Sequence, residues 1–429
     1  MTVEDPAGPG VEPASRSRGR LRSLAVDTTP LRVSPEFRRL WLAQGVSFLG
    51  TQLTAVAVGI QVYDLTGSSA AVGLVGLAAL VPLVGLGLVG GALADSVERR
   101  RLALCTSGGL AVLSLALVAQ AALDLRSVLL LYGIVALQSA LFAVDSPVRS
   151  TFPPRLLPVE LLPAANALSW SATGLAATLG PLLAGLLVAG PGYTAAYAVD
   201  VATFVAPLYS LLRLRRMPPQ RTQGAGRASV REGLRLLRSR PVLLSTFVAD
   251  LLAMVFGMPR AVFPELADGT LGGGATTVGL LNAALAVGTL LAALLSGPTG
   301  RVRRQGLGVL LAVGAWGAAI VVLGLAPVLW LALLALAVAG AADTVSAVWR
   351  QSVLQAATPD EYRGRLGGVF IVVVAGGPRL GDVRVGGAAA LLGPGAAVVG
   401  GGLLIMGGAA LLAALVPRLV RYDARDPQA

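Results

Sequence analysis

The sequence contains no lysine and no histidine, and its one cysteine is Cys105. All 34 basic residues are therefore arginine. Without lysine there is no phosphate-binding P-loop and no Schiff base to pyridoxal phosphate or retinal, and without histidine there is no Ser-His-Asp triad and no histidine-ligated zinc. A single cysteine excludes internal disulfides and paired-cysteine metal sites. We therefore expect no metal, no cofactor and no enzyme activity.

The remaining composition is that of a membrane protein. Apolar residues make up 55% of the 429 residues, and the mean hydropathy is +0.76, which excludes an ordinary soluble domain. A helix needs about 20 apolar residues to span about 30 Å of hydrocarbon. Twelve such segments occur between charged or Gly/Pro-rich turns, six on each side of a basic central stretch. The sequence thus predicts an all-α membrane protein with twelve transmembrane helices in two six-helix bundles.

Three polar stretches set the predicted domain boundaries. Residues 1–36 are rich in Arg, Pro, Gly and Ser, which indicates a disordered cytoplasmic tail. Residues 37–212 form the N-terminal bundle and residues 241–418 the C-terminal bundle. Between them, residues 213–240 are a basic cytoplasmic linker with an amphipathic helix on the membrane surface. Residues 419–429 form a second cytoplasmic tail.

The arginines are concentrated on alternate turns. With the N-terminus inside, the opposite side carries only Arg126 and Arg260. Because positive residues near span ends stay cytoplasmic, we predict a multi-pass protein of the plasma (inner) membrane with both termini cytoplasmic. Topology and contact with anionic lipid account for the pI of 11.1, so no nucleic-acid partner is expected. We expect a monomer.

The two halves of the chain resemble each other. Five positions recur 201 residues later, pairing Arg149 with Arg350, Pro158 with Pro359, Glu160 with Glu361, Gly180 with Gly381 and Gly185 with Gly386. Earlier in each half the offset is 206, pairing Gln44 with Asp250 and Gly91 with Gly297. Glycine is abundant, so chance is the alternative, but a shared Arg and Glu favour duplication. A duplicated bundle places a substrate path between its halves near the bilayer midplane.

The turn after the second predicted span reads Gly-Gly-Ala-Leu-Ala-Asp-Ser-Val-Glu-Arg-Arg-Arg over residues 90–101. It resembles the signature of the major facilitator superfamily at the same turn. The resemblance implies a cytoplasmic latch between the halves. Its residues would be Gly91, Asp95 and Arg99, with Arg149 and Arg350 as further gate residues. Such a latch contributes about 1 kcal/mol and so can break. A solvated turn that only sets topology is the alternative.

The fifth predicted span contains Gly174, Gly180, Pro181 and Gly185, which is similar to the antiporter signature of that superfamily. The similarity implies a proton-coupled exporter, although small residues and a proline also fit a kinked hinge. The fourth span has neutral residues over Tyr132–Val135, where many family antiporters carry an arginine. As a whole, the chain resembles the branch that contains enterobactin exporters and drug:proton antiporters.

Ionisable residues inside spans are candidate functional sites, because an isolated charge at mid-bilayer costs at least about 2.5 kcal/mol. Asp250 lies about ten residues into the seventh span, and Gln44 holds the equivalent place in the first. In the family fold both helices line the central cavity. We predict Asp250 as a protonatable carboxylate, with a purely structural role as the alternative. In the eleventh span, Arg379 and Asp382 form either a static pair or a site for an anionic substrate such as a catecholate siderophore.

The leading hypothesis is a secondary active transporter that exports a small amphiphilic organic molecule in exchange for protons. One alternative is an uncoupled or importing facilitator of the same fold, which the missing fourth-span arginine favours. A remote alternative is an intramembrane aspartyl protease using Asp64 and Asp382. The protease pattern would require glycine at Arg379, so this match is weak. Asp250→Asn separates the first two, because only coupled export should fail.

Overall fold

The computed structural model describes residues 27–217, 237, 240–295, 302–357 and 363–423. Among these residues, eleven helices are long and apolar enough to span a membrane. A twelfth helix, Arg363–Leu392, has 30 residues and carries charged residues along its length. The predicted all-α fold of twelve transmembrane helices in two bundles is confirmed.

The helices alternate in direction because short turns connect them. The N-terminal half contains α1 (Pro35–Thr66), α2 (Ser69–Ser96), α3 (Arg99–Ala122), α4 (Val128–Ser150), α5 (Leu162–Ala189) and α6 (Tyr193–Leu212, interrupted at Phe204). The C-terminal half contains α7 (Pro241–Gly257), α8 (Gly274–Leu294), α9 (Gln305–Leu325), α10 (Leu329–Ala357), α11 (Arg363–Leu392) and α12 (Pro394–Leu415). The terminal face is the end of the bundle where α1 begins and α12 ends, and the far face is the opposite end.

Local sequence signals explain where the helices begin and end. The Ser34 hydroxyl accepts the Phe37 backbone N–H at 3.1 Å and so caps α1. Gly67 ends the same helix at φ +61°, a left-handed conformation that glycine adopts without steric cost. Ser127 caps α4 by accepting the Leu130 N–H at 3.3 Å. These turns fix the positions at which α1 and α4 enter and leave the bundle.

The ordered chain extends past the predicted bundle boundaries. Within the stretch 1–36, predicted as disordered, Thr29–Val33 forms a short helix. The N–H and hydroxyl of Thr29 donate to Asp27, and these bonds hold the pKa of Asp27 below its usual range. In the predicted tail 419–429, Leu419 is fully buried, and a Cβ added at Gly306 of α9 would lie 1.8 Å from its carbonyl oxygen. Average composition conceals such local order.

The predicted linker 213–240 also begins as part of the N-terminal half. Leu214 and Met217 are buried in an apolar cluster with Phe37 and Leu211. The stretch 218–236, and with it most of the predicted interfacial helix, lies outside the described residues.

Helix packing follows the repeat. Helix α2 packs on α4 as α8 packs on α10, α1 packs on α5 as α7 packs on α11, and α3 packs on α6 as α9 packs on α12. Two main contacts join the halves, α2 with α11 and α5 with α8. They are equivalent, because the repeat relates α2 to α8 and α5 to α11. Large apolar side chains such as Leu129 and Leu391 face outward, whereas small ones such as Ala57 and Ala184 are fully buried. This arrangement is typical of helices packed within lipid.

Candidate coupling and gating sites

A buried ion cluster lies inside the C-terminal half, between α7 and α10. Arg350 of α10 places Nη2 2.7 Å from Oδ1 of Asp250 on α7 and 3.6 Å from Oδ1 of Asp343 on its own helix. The exposed fractions of the side chains are 10% for Arg350, 6% for Asp250 and 27% for Asp343. Asp250 lies about 14 Å along the helix axis from the start of α7, at 1.5 Å per residue. We name Asp250, Arg350 and Asp343 the α7–α10 cluster.

The sequence singled out Asp250 but did not predict its partners. Asp343 and Arg350 are seven residues apart, two helical turns, and therefore share one face of α10. This seven-residue spacing was the sequence signal from which their shared helix face could have been predicted. It does not reveal which helix α10 faces, because that depends on how α7 is rotated in the bundle.

The N-terminal half has its own ion pair, between α3 and α4. Arg149 pairs with Asp145 one turn earlier on α4, and its Nη2 donates to the Ser107 hydroxyl at 2.7 Å. The Thr106 hydroxyl donates to Asp145 Oδ1 at 2.6 Å. The pair is thus balanced in charge and held by α3.

The predicted latch is described only in part. Gly91 and Asp95 belong to the last turns of α2, whose side chains lie outside the described part of the structure. Arg99 begins α3 and is buried, and its backbone N–H donates to the Met217 carbonyl at 3.3 Å. The predicted gate residues Arg149 and Arg350 pair within their own halves. Their roles as gate residues stay predictions.

Backbone contact joins α5 to α8 near the far face. A Cβ added at Gly185 would lie 2.7 Å from the carbonyl oxygen of Ala275. One added at Gly279 would lie 2.6 Å from that of Pro181. Only glycine permits so close an approach, so two of the antiporter-like residues, Pro181 and Gly185, lie at the boundary between the halves.

The repeat-related contact joins α2 to α11. Cβ atoms added at Gly73 and Gly386 would lie 2.5 Å from the Asp382 carbonyl oxygen and 2.4 Å from that of Ser69. The Ser69 hydroxyl also donates to Glu265, which follows α7, so a hydrogen bond crosses between the halves. Two equivalent contacts therefore join the halves near the far face.

The other antiporter-like glycines have different neighbours. Gly180 packs on α1, where a Cβ would lie 2.7 Å from Gln52 Cβ, and its counterpart Gly381 packs on α7 against the Met254 carbonyl at 2.4 Å. Gly174 faces α8, with 3.7 Å between an added Cβ and Leu290 Cδ1. The motif thus holds α5 both to its own half and to the opposite one.

The charges of α11 do not form a simple internal pair. The half-buried Asp382 side chain interacts electrostatically with Arg260 in the far-face turn as well as with Arg379. Its Oδ1 has no hydrogen-bond partner among the residues that the structure describes. Arg384 donates to the Phe256 carbonyl at 2.9 Å and lies 5.5 Å from the centre of the Phe256 ring. It therefore compensates the C-terminal end of α7.

Two further candidates are separate from the α7–α10 cluster. Gln44 is half-buried on α1 and forms neither a hydrogen bond nor an ion pair with Asp250 in the described structure. Asp200 of α6 accepts the Ser114 hydroxyl of α3 at 2.6 Å, and a Cβ at Gly50 of α1 would lie 2.4 Å from its Oδ1. Asp200 thus connects three helices, as a structural residue would.

A duplicated bundle of twelve membrane helices, with buried ion clusters and close contacts between its halves, defines a secondary transporter. The chain belongs to the major facilitator superfamily, because the model of the family described as transmembrane secretion effector matches residues 25–429. The enterobactin exporter EntS of Shigella boydii serotype 18 is 31% identical over 412 residues, which cover 95% of this chain and 98% of the relative. The protein of the same name from Escherichia coli O81 is equally similar, at 31% identity over 412 residues.

Solved structures show the same fold. The nucleoside transporter NupG matches with a TM-score of 0.73 at 12% identity, covering 90% of this chain and 99% of that one. A bacterial homologue of ferroportin in its inward-facing state has a TM-score of 0.67 at 15% identity, with coverage of 90% and 98%. The predicted superfamily and branch are confirmed. The chain is a multi-pass membrane transporter and not an enzyme, so the protease alternative is wrong.

Proposed function

We propose that this protein is a proton-coupled exporter of a small amphiphilic organic molecule, of the drug or siderophore type. It works by alternating access in the plasma (inner) membrane, with both termini and the terminal face in the cytoplasm. The whole-length similarity to enterobactin exporters supports export. The arginine-rich turns of the terminal face support the orientation.

The observation that carries the proton coupling is the α7–α10 cluster. Asp250 and Arg350 form an ion pair at 2.7 Å, well inside the span and almost excluded from water. Buried ion pairs add little net stability and are often weaker than an apolar replacement. A transporter that must take up and release a proton needs such a titratable group.

Alternating access is supported by the equivalent contacts of α2 with α11 and of α5 with α8. Both rely on small residues and close backbone contact. Such contacts can separate as one half rocks against the other. In this scheme the described structure is closed on the far face, and the latch of Gly91, Asp95 and Arg99 closes the terminal face in the opposite state.

The proposed substrate and proton sites are Gln44, Asp250, Arg379 and Asp382. Arg260 and Arg379 both act on the Asp382 carboxylate, and two arginines close to one carboxylate attract an anionic group such as a catecholate. Gln44 and Asp250 hold equivalent places on α1 and α7, on either side of the path between the halves.

The competing function is an uncoupled or importing facilitator. Its support is the start of α4, where the Tyr132 hydroxyl donates to the Ala71 carbonyl at 2.7 Å and no arginine is present over Tyr132–Val135. A facilitator moves its substrate only down a gradient and ignores a protonophore.

The test is transport of fluorescent dyes and of a catecholate siderophore into inverted membrane vesicles, with and without a protonophore. We expect accumulation that the protonophore abolishes, and loss of accumulation in Asp250→Asn. The control is Asp124→Asn, at an exposed turn residue with φ +46° that asparagine also adopts. Accumulation that survives the protonophore would remove the proton coupling.

A further inference from the structure

We propose that Asp250, Asp343 and Arg350 form a one-proton site, in which Asp343 is a second coupling residue and exchanges the proton with water. This inference rests on the proposed proton-coupled export and assigns its stoichiometry and its second carboxylate. When all three groups are ionised, two negative charges share one positive charge. A single proton makes the cluster neutral.

Both carboxylates have the same guanidinium nitrogen as their nearest cationic atom. Nη2 of Arg350 lies 2.7 Å from Asp250 Oδ1 and 3.6 Å from Asp343 Oδ1, beyond hydrogen-bond range for the second. Arg350 therefore bonds Asp250 and leaves Asp343 as the carboxylate that takes up the proton.

Buried polar atoms without a hydrogen-bond partner indicate where a proton or a water molecule binds. Asp343 Oδ1, Arg350 Nη1 and the Ser346 hydroxyl are all buried and have no hydrogen-bond partner among the described residues. The three residues follow each other at three- and four-residue intervals, so they share one face of α10. Buried polar groups are normally paired, and such a cluster of exceptions is explained by a proton, a water molecule or both.

Water can reach this site from the side of Asp343. The Asp343 side chain is 27% exposed, against 6% for Asp250. A separate cavity of about 10 Å³, lined by Thr246, Phe247, Asp250, Arg350 and Leu354 and not by Asp343, adjoins the Asp250–Arg350 pair, and a single water needs about 10–15 Å³. In the exchange, one O–H bond forms at a carboxylate oxygen when the site faces the acidic side and breaks to water when it faces the other.

The N-terminal half lacks this arrangement. Arg149 is the repeat counterpart of Arg350, but the counterparts of Asp250 and Asp343 are Gln44 and Phe142. Arg149 pairs with Asp145 alone, one charge against one. Of the two described ion clusters, only the α7–α10 cluster has more carboxylates than cations, so it needs a proton to become neutral.

No other described charge competes for the cluster from the helices packed against α7 and α10. Helices α8, α9 and α12 contain no charged residue. The short helix Pro417–Arg421, which also packs on α7, carries Arg418 and Arg421, and both are exposed at the terminal face. On α11, Arg384 binds the Phe256 carbonyl at the far-face end of α7, and Arg379 and Asp382 interact with Arg260. The side chains of Arg363 and Arg365 lie outside the described part of α11.

The test uses the purified full-length chain in proteoliposomes with a fluorescent cationic dye. For each variant we would measure the ratio of transport driven by a pH gradient to downhill transport without one, and its pH profile. We expect one proton per dye in the wild type. In Asp343→Asn the ratio should fall at least about tenfold and the pH profile should flatten. Asp343→Glu should restore the ratio because it restores a titratable group.

The matched control is Asp200→Asn, a buried carboxylate of the other half whose partner Ser114 can still donate to the amide oxygen. Its ratio should stay within about twofold of the wild type. Driven transport and a normal pH profile in Asp343→Asn, with loss in Asp250→Asn, would overturn the one-proton site and leave the exporter intact. A wild type without driven transport would overturn the proposed function itself.

Discussion

At the residue scale, the two ion clusters should respond differently to mutation. Asp145→Leu leaves Arg149 buried without its carboxylate, and loss of one partner of a buried pair costs about 3–5 kcal/mol. In the double variant Asp145→Leu/Arg149→Met both charges are absent, so we expect stability within about 2 kcal/mol of the wild type. Thermal unfolding in detergent measures both. A double variant as unstable as the single one would contradict the interpretation as a structural pair.

The same double variant should keep proton-driven transport, because the proposed proton site lies in the other half. Arg350→Met removes the counter-ion of both Asp250 and Asp343, so driven transport should be lost there. The measurement is the ratio of driven to downhill transport. Loss of that ratio in the N-terminal double variant would place coupling at the α3–α4 pair instead.

Ion pairs could be predicted from the sequence only where both residues lie on the same helix. The spacing of Asp145 and Arg149, four residues on one helix, is readable directly. Asp250 and Arg350 are 100 residues apart, and their contact depends on the rotation of α7 against α10. Likewise, the interaction of Asp382 with Arg260 depends on how the far-face turn folds back over α11, which periodicity does not encode.

At the element scale, the contact between α5 and α8 should tolerate no side chain. Gly185→Ala would place a Cβ 2.7 Å from the Ala275 carbonyl, and overpacking of this kind costs about 1–3 kcal/mol. Because the strain applies to the far-face-closed state, we expect transport to fall several-fold while the protein remains folded. The control is Gly133→Ala in α4, where an added Cβ meets nothing within 4 Å. Transport equal in the two variants would show that this contact does not limit the cycle.

Helix order and helix pairing were the most predictable features of the fold. Apolar length gave the twelve helices, and the 201-residue repeat predicted that Gly180 and Gly381 would have the same role, which both perform against the first helix of their half. The ends were less predictable. Thr29–Val33 and Leu419 lie in stretches whose average composition is polar, yet Leu31 packs against the apolar cluster of Phe37 and Leu211, and Leu419 is fully buried.

At the scale of the whole molecule, duplication has produced two halves with equivalent helix packing but different buried charges. The contacts at Gly73 and Gly279, and at Gly185 and Gly386, are equivalent and join the halves near the far face. The ion clusters are not equivalent, since the N-terminal one is balanced and the C-terminal one carries an excess carboxylate. A symmetric arrangement of helices allows one half to rock against the other. A charge imbalance in one half allows protonation to shift the equilibrium between the two states of the transporter.

The orientation of the protein in the membrane gives the last prediction. In a Cys105→Ser background, Asp124→Cys lies at an exposed far-face turn and Arg303→Cys at an exposed terminal-face turn. If the arginine-rich turns face the cytoplasm, a membrane-impermeant maleimide should label Asp124→Cys in intact cells and Arg303→Cys only after permeabilisation. Val112→Cys, whose parent side chain is 65% exposed midway along α3, should resist this polar reagent under both conditions. The reverse labelling pattern would show the opposite orientation in the membrane. The far face would then be cytoplasmic, and the proposed direction of proton entry would be wrong.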